Sequence, residues 1–173
     1  MNPRTFPHAA ATAALALALT ACAAMPTPVP DALRPGPGAT FAMTATARGV
    51  QIYECRAGQW SFIAPQAELF DAAGRAIGTH GAGPHWAHRD GSRVVASVAA
   101  RADAPVAGAI PWLLLAARPD NADRGTPGVL AGITHIQRVD TAGGTAPAGT
   151  CQSADQPLRV PYVAAYHFYR SPQ

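Results

Sequence analysis

The fold class of this chain is indicated by a tight-turn dipeptide followed by alternating apolar and polar side chains, in the stretch Asp90-Gly91-Ser92-Arg93-Val94-Val95-Ala96-Ser97-Val98. Asp-Gly is among the strongest short signals for a two-residue hairpin turn. Behind it, Val94, Ala96 and Val98 alternate with Arg93 and Ser97, which is the period-two pattern of a half-buried strand. This stretch therefore predicts a β-hairpin.

Similar short segments extend in both directions from this hairpin. Residues 50–54 alternate, residues 110–116 are apolar throughout as in a strand buried on both faces, and further segments span 60–70, 133–139 and 160–169. Turn residues separate them at intervals of about 8–15 residues, and no segment carries a sustained helical stripe. We predict a single all-β domain, either an antiparallel barrel or a two-layer β-sandwich of about eight strands.

The N-terminus has the pattern of an export signal. The apolar run from Ala9 to Ala21 has thirteen residues, fewer than the roughly 20 of a membrane-spanning helix, and it is typical of a signal-peptide core. It ends in Leu19-Thr20-Ala21-Cys22, which resembles the lipobox of bacterial lipoproteins. That resemblance implies removal of residues 1–21 and lipidation of Cys22. The alternative is an ordinary secretory signal with a chance cysteine.

Residues 22–39 are predicted to be a tether between this lipid and a β domain at 40–173. Five prolines lie between residues 23 and 38 and favour an extended chain, Pro26, Pro28, Pro30, Pro35 and Pro37. The residue after Cys22 is Ala23, whereas lipoproteins retained at the inner membrane tend to have Asp at this position. We therefore expect an exported protein of the cell envelope, anchored in the outer membrane and facing the periplasm. Its expected partners are the membrane, through the lipid on Cys22, and a small-molecule or envelope ligand.

Charge and cysteine content narrow the function classes. Loss of Arg4 with the leader reduces the 13 basic residues to 12, against 10 acidic ones, and this charge of +2 does not predict nucleic-acid binding. The chain has no lysine, which excludes a lysine nucleophile or Schiff base. Cys55 and Cys151 remain as thiols in an oxidising compartment and are expected to form a disulfide. The alternative is a catalytic or metal-binding cysteine pair. The two cysteines have neither a CxxC spacing nor an adjacent histidine to support it.

Residues 78–92 form the densest polar cluster. With Asp90 or His135, its three histidines offer nitrogen and oxygen ligands for zinc or copper, at His80, His85 and His88. The competing interpretation is a glycine-rich connection with exposed histidines and Trp86 packed as a lid. Because the spacing lacks a metal signature, we predict no metal and no cofactor.

A binding site around His80, Trp86 and Asp90 is the functional prediction. Its glycines would let the backbone approach a ligand closely, and a large aromatic side chain stands beside titratable groups. We expect a non-catalytic module for a small molecule, a glycan or another envelope component. The alternative is a hydrolytic or metal-dependent enzyme centred on the same segment. A Ser92–His80–Asp90 triad lacks the nucleophile elbow of hydrolases, so no catalytic residue is assigned.

An ordered series of short blocks runs through the domain. They include Gly49-Val50-Gln51-Ile52-Tyr53-Glu54-Cys55, Gly78-x-His80-x-x-Gly83-Pro84-x-Trp86, Ile110-Pro111-Trp112-Leu113-Leu114-Leu115 and Val160-Pro161-Tyr162. From about residue 40 to 170, this series resembles a family of exported bacterial and fungal proteins known as domain of unknown function 3455. The resemblance implies that both cysteines belong to the domain, and it implies no activity. The family pattern has Thr near position 85 and Glu near 88, so His80 is the histidine that fits it.

Replacing Cys22 tests the anchor. Cys22→Ser removes the thiol that would carry the diacylglycerol, and the protein should then remain unprocessed or become soluble. Detergent-phase partitioning and the mass of the N-terminal peptide measure this. A Cys22→Ser protein that still partitions wholly into the detergent phase would contradict the lipobox.

Overall fold

The computed structural model describes residues 27–118, 127–152 and 157–172. Its strands are β1 (Thr40–Arg56), β2 (Gln59–Phe70), β3 (Ala76–Gly81), β4 (His85–His88), β5 (Arg93–Ala102), β6 (Trp112–Ala117), β7 (His135–Gly143) and β8 (Leu158–Arg170). A single 3₁₀ turn, Asp31–Leu33, precedes them. The predicted all-β fold of about eight strands is confirmed. One strand, β4, falls where the sequence favoured an irregular glycine-rich connection.

The strands form one antiparallel sheet that closes on itself. Each strand pairs with its neighbours in the sequence, and β1 pairs with β8 as well as with β2, giving a closed barrel. The hairpin predicted at Asp90-Gly91 joins β4 to β5, with Trp86 opposite Val94. Closure removes the free sheet edges that would otherwise expose unpaired backbone groups.

One end of the barrel is filled by side chains. Residues on the inner face alternate with outward ones along each strand, and here they are apolar and almost fully buried, including Val94, Leu115, Ile136 and Phe168. The segment 128–133 crosses this end and adds Leu130 and Ile133 to the same cluster.

The Asp90 hairpin holds that crossing segment in place. The Asp90 carboxylate accepts hydrogen bonds from the Ser92 hydroxyl (2.6 Å) and from the Val129 amide (2.8 Å). The Ser92 hydroxyl oxygen accepts one from the Leu130 amide (3.1 Å). Gly128 is required beside them, because a Cβ there would lie 2.6 Å from an Asp90 carboxylate oxygen and 2.7 Å from the Ser92 Cβ.

The N-terminal segment covers the outside of β6. Leu33 is fully buried against Trp112 and Leu114, and its backbone carbonyl accepts a hydrogen bond from the side-chain amide of Gln137 (2.7 Å). Strand β6 is therefore buried on both faces, as its apolar sequence predicted. The packed part of the chain begins before residue 40, where the β domain was predicted to start, because the apolar Leu33 side chain is buried against β6.

Residues 1–21 and Cys22 lie outside the described residues, so signal cleavage and lipidation stay predictions. In the described ranges, no helical segment combines the length and the apolar character needed to span a lipid bilayer.

The predicted disulfide is confirmed. Cys55, near the end of β1, bonds to Cys151 in the loop between β7 and β8, with their Cα atoms 5.7 Å apart. The Cys151 amide also donates a hydrogen bond to the Gly58 carbonyl in the β1–β2 turn (2.9 Å). The bond thus attaches the β7–β8 loop to the β1–β2 hairpin.

Removing this disulfide should destabilise the domain. The two cysteines are separated by 96 positions, and closing a loop of this length is worth about 4–5 kcal/mol on the chain-entropy model. The double variant Cys55→Ser/Cys151→Ser should lose roughly that free energy of unfolding in urea titrations. The control is the wild-type protein unfolded under reducing conditions, which should match the variant. A loss below about 1 kcal/mol would contradict the expectation.

Candidate functional site

The end of the barrel opposite the 128–133 segment contains a cavity of about 580 Å³. In an antiparallel barrel, the C-terminal ends of odd strands and the N-terminal ends of even strands meet at one end. The lining follows this rule, with Tyr53 from late β1, Phe62 from early β2, Leu113 from early β6 and Arg138 from β7. Its volume falls within the roughly 300–1,000 Å³ of small-molecule sites.

The cavity opens where strand pairing is shortest. Strand β4 pairs with β5 through only three residue pairs, whereas β5 continues to Ala102. The β3–β4 turn, with Gly83 and Pro84, and Val98 on β5 both line the cavity in this region. Val98 is 55% exposed, and Phe62 on β2 is 53% exposed. The opening thus has an apolar rim that water reaches.

Three rings form the inner wall of the cavity. His80 on β3 and Trp86 on β4 are opposite each other in register and stack at 4.4 Å, with 16° between their planes. Tyr166 on β8 packs across both, 5.0 Å from the His80 ring and 5.3 Å from the Trp86 ring. All three are buried and line the cavity. The sequence prediction that His80 and Trp86 belong together corresponds to this contact.

His80 is a neutral ring in this position. Its Nδ1 lies 2.7 Å from the His85 carbonyl, and because a carbonyl only accepts, Nδ1 must carry the proton and Nε2 a lone pair. Burial, opposed by the His85 hydrogen bond and aided by the charge of Arg138, lowers the pKa of His80 to about 3. Protonation at neutral pH is therefore excluded.

Several buried polar groups around the rings lack a protein partner. Three of them belong to cavity-lining side chains, the Gln51 amide nitrogen, the Trp86 indole nitrogen and the Tyr166 hydroxyl, and the Tyr162 hydroxyl lies behind them. Burial raises the pKa of Tyr166, and the charge of Arg138 opposes the rise, as do polar contacts from Tyr162 and Arg138 to its hydroxyl, which fall short of good hydrogen-bond geometry. A buried polar group without a partner costs about 1–3 kcal/mol.

Two arginines face the same cavity. Arg101 on β5 and Arg138 on β7 both pair in register with Leu113 on β6, one on each side. Arg138 donates from Nε (3.1 Å) and Nη2 (2.8 Å) to the Pro111 carbonyl. In the described part of the chain, neither arginine has an ion-pair partner and no carboxylate lines the cavity.

Asp90, the third predicted site residue, lies outside the cavity lining. Its carboxylate holds Ser92 and Val129 at the filled end and also lies 3.0 Å from His88 Nδ1. Hydrogen bonds, first that from Ser92, keep the pKa of Asp90 well below its usual range. The structure therefore joins His80 to Trp86 and assigns Asp90 to the hairpin.

The histidines of residues 78–92 do not gather around one point. His80 faces the cavity, whereas the His85 ring folds back on its own turn, with Nδ1 2.7 Å from the Ala82 carbonyl. Across residues 27–118, 127–152 and 157–172, no three His, Cys, Asp or Glu side chains are grouped as metal ligands.

Sequence reasoning missed Gln51 and Arg138 as cavity residues. In β1, Val50 and Ile52 are the apolar members of the alternation, yet Gln51 and Tyr53 face inward and are the more buried pair. In β7, Arg138 has the same parity as the core residue Ile136. A polar residue on the core parity of a strand was the available signal, and it indicates a cavity in place of packed core.

Comparison with known proteins gives a family and no activity. Residues 35–170 match the family described as "Protein of unknown function (DUF3455)". The chain belongs to this family. No curated protein and no solved structure matches the chain. The family therefore accounts for the shared domain, and any function has to be argued from the cavity.

The pKa of His80 predicts an acid-sensitive stability. The folded ring resists protonation to about pH 3, whereas an unfolded histidine takes a proton near pH 6.5. The stabilising contribution is complete above about 6.5 and is lost as pH falls from there towards 3. In urea titrations, His80→Phe should show a shallower loss of unfolding free energy over this window than wild type. Parallel curves would show that His80 is not buried as a neutral ring.

Proposed function

We propose that this protein is a lipid-anchored envelope protein that binds a small molecule inside its barrel. The single observation that carries the proposal is the 580 Å³ cavity with buried polar groups that lack protein partners. A cavity that served only as an imperfectly packed core would be lined by apolar atoms. This one combines aromatic rings with unsatisfied hydrogen-bonding groups, the usual composition of ligand sites.

Two features support a location in the envelope. The Leu19-Thr20-Ala21-Cys22 sequence favours lipid attachment, and two or three acyl chains give stable anchoring. The Cys55–Cys151 disulfide favours an oxidising compartment, where such bonds persist. A domain on an outer-membrane anchor facing the periplasm would meet small molecules crossing the envelope.

The geometry gives the enzymatic alternative no specific support. A hydrolytic or metal-dependent centre at His80 would need Asp90 beside it, and the Asp90 carboxylate is engaged with Ser92 and Val129. Within residues 27–118, 127–152 and 157–172, no serine, threonine or cysteine lines the cavity. Binding therefore accounts for the arrangement of His80, Trp86 and Tyr166 more directly than catalysis does.

Closing the opening tests the proposal. Val98→Trp places a large ring at the exposed mouth of the cavity, where it should block entry at little cost in stability. The probe is N-phenyl-1-naphthylamine, an uncharged dye that fluoresces in apolar surroundings. We expect the full chain to bind the dye and Val98→Trp to weaken binding at least tenfold, as fluorescence titration measures.

The matched control is Val163→Trp, since Val163 is 40% exposed on β8 and lies outside the cavity lining. All variants are measured at one detergent concentration, so that dye partitioning into micelles is common to them. The control should keep wild-type affinity. Equal affinity in Val98→Trp and wild type would refute binding inside the barrel.

A further inference from the structure

The hydrogen-bonding groups of the cavity are dominated by donors. An indole N–H and a guanidinium can only donate, and Trp86, Arg101 and Arg138 all line the cavity. The contacts of the Tyr166 hydroxyl with Tyr162 and Arg138 are made to its oxygen, so its own proton is free to donate. Acceptors on the wall include Nε2 of the neutral His80 ring, whose Nδ1 donates to the His85 carbonyl.

The charges point the same way. Arg101 and Arg138 flank Leu113 in register and bring two permanent positive charges to one wall. A buried charge is normally balanced by a partner, yet among the described residues no acidic side chain lines this cavity. Arg138 is half-buried, and it donates two hydrogen bonds to the Pro111 carbonyl. These bonds orient the guanidinium and use two of its roughly five N–H donors.

Arg138 and Tyr166 form the inner part of this donor set. They are directly opposite in register on β7 and β8, so an anionic group bound by the guanidinium would also lie near the hydroxyl. Arg101 is exposed at the rim, where it would attract an anion from solution. The remaining wall is apolar and aromatic, including Tyr53, Phe62 and Leu115.

We propose that the ligand is a small organic anion with an apolar body, whose acidic group is bound by Arg138 and Tyr166 while its body lies against the aromatic wall. This inference rests on the proposed function and specifies the chemistry of the same cavity. The unbalanced arginines select the charge, and the apolar lining excludes small inorganic anions as the natural occupant. Guanidinium groups are preferred for such contacts because they are permanently charged and form planar, charge-assisted hydrogen bonds.

A pair of dyes isolates the anionic group. 1-Anilinonaphthalene-8-sulfonate and N-phenyl-1-naphthylamine share one chromophore, and only the first carries a sulfonate. The affinity of the full chain for each dye is measured by fluorescence titration in one buffer. We expect Arg138→Met to lower the ratio of sulfonate-dye affinity to neutral-dye affinity about tenfold or more, because a charge-assisted contact is lost.

The matched control is Arg159→Met, which removes the same charge from an exposed arginine that bonds to Gln66 on the outer surface. It should leave the ratio within about twofold of wild type. Arg101→Met provides a second variant that keeps the Arg138–Pro111 contact, and it should lower the ratio less than Arg138→Met does. This variant keeps the test valid if Arg138→Met fails to fold.

The outcomes separate the two proposals. A ratio that is unchanged in Arg138→Met and Arg101→Met, with both dyes still excluded by Val98→Trp, would overturn the anion preference and leave binding in the barrel intact. An equal fall in Arg159→Met would assign the effect to net charge and also overturn it. A cavity that takes neither dye would overturn both proposals.

Discussion

Pairing between β1 and β8 closes the sheet, and the interior exists because of it. Thirteen residue pairs join these strands, from Thr40–Arg170 to Tyr53–Leu158. This pairing brings the first and last strands of the described domain together. The Cys55–Cys151 bond joins β1 to the loop before β8, at the Tyr53–Leu158 end of the pairing. Without closure, Tyr166 and Phe168 on β8 would not face His80 and Trp86 across the barrel.

The two ends of the barrel have different physical roles. At one end, Leu130 and Ile133 fill the interior, and the Asp90–Ser92 hairpin binds the segment that carries them. At the other end, β4 is short and no comparable segment of the described residues fills the space. At the filled end, the Asp90 and Ser92 side chains have hydrogen-bond partners. Most of the buried polar side chains without a partner lie around the cavity instead. This division explains why Asp90 stabilises the fold while His80 and Trp86 belong to the candidate site.

Much of the architecture could be predicted because strand signals are local. Alternation behind Asp90-Gly91 predicted β5, and the apolar run at 110–116 predicted a strand buried on both faces. The inner face of β1 was harder, since Val50 and Ile52 look like core residues and Gln51 does not. Tertiary structure reverses that expectation, because the inner face of β1 meets a cavity that accommodates a polar amide. The cavity residue Arg138 could not be predicted from the sequence for the same reason.

The sequence by itself determined the strands, the hairpin turn and the thiols available for pairing, because each depends on residues close together in the chain. It also drew attention to His80 and Trp86, which are neighbours across one short hairpin. Only the tertiary structure decided that Asp90 stands apart from them, and that Arg101, Arg138 and Tyr166 join them. Those residues come from three different strands, and their meeting depends on the register of a closed sheet, which no local pattern encodes.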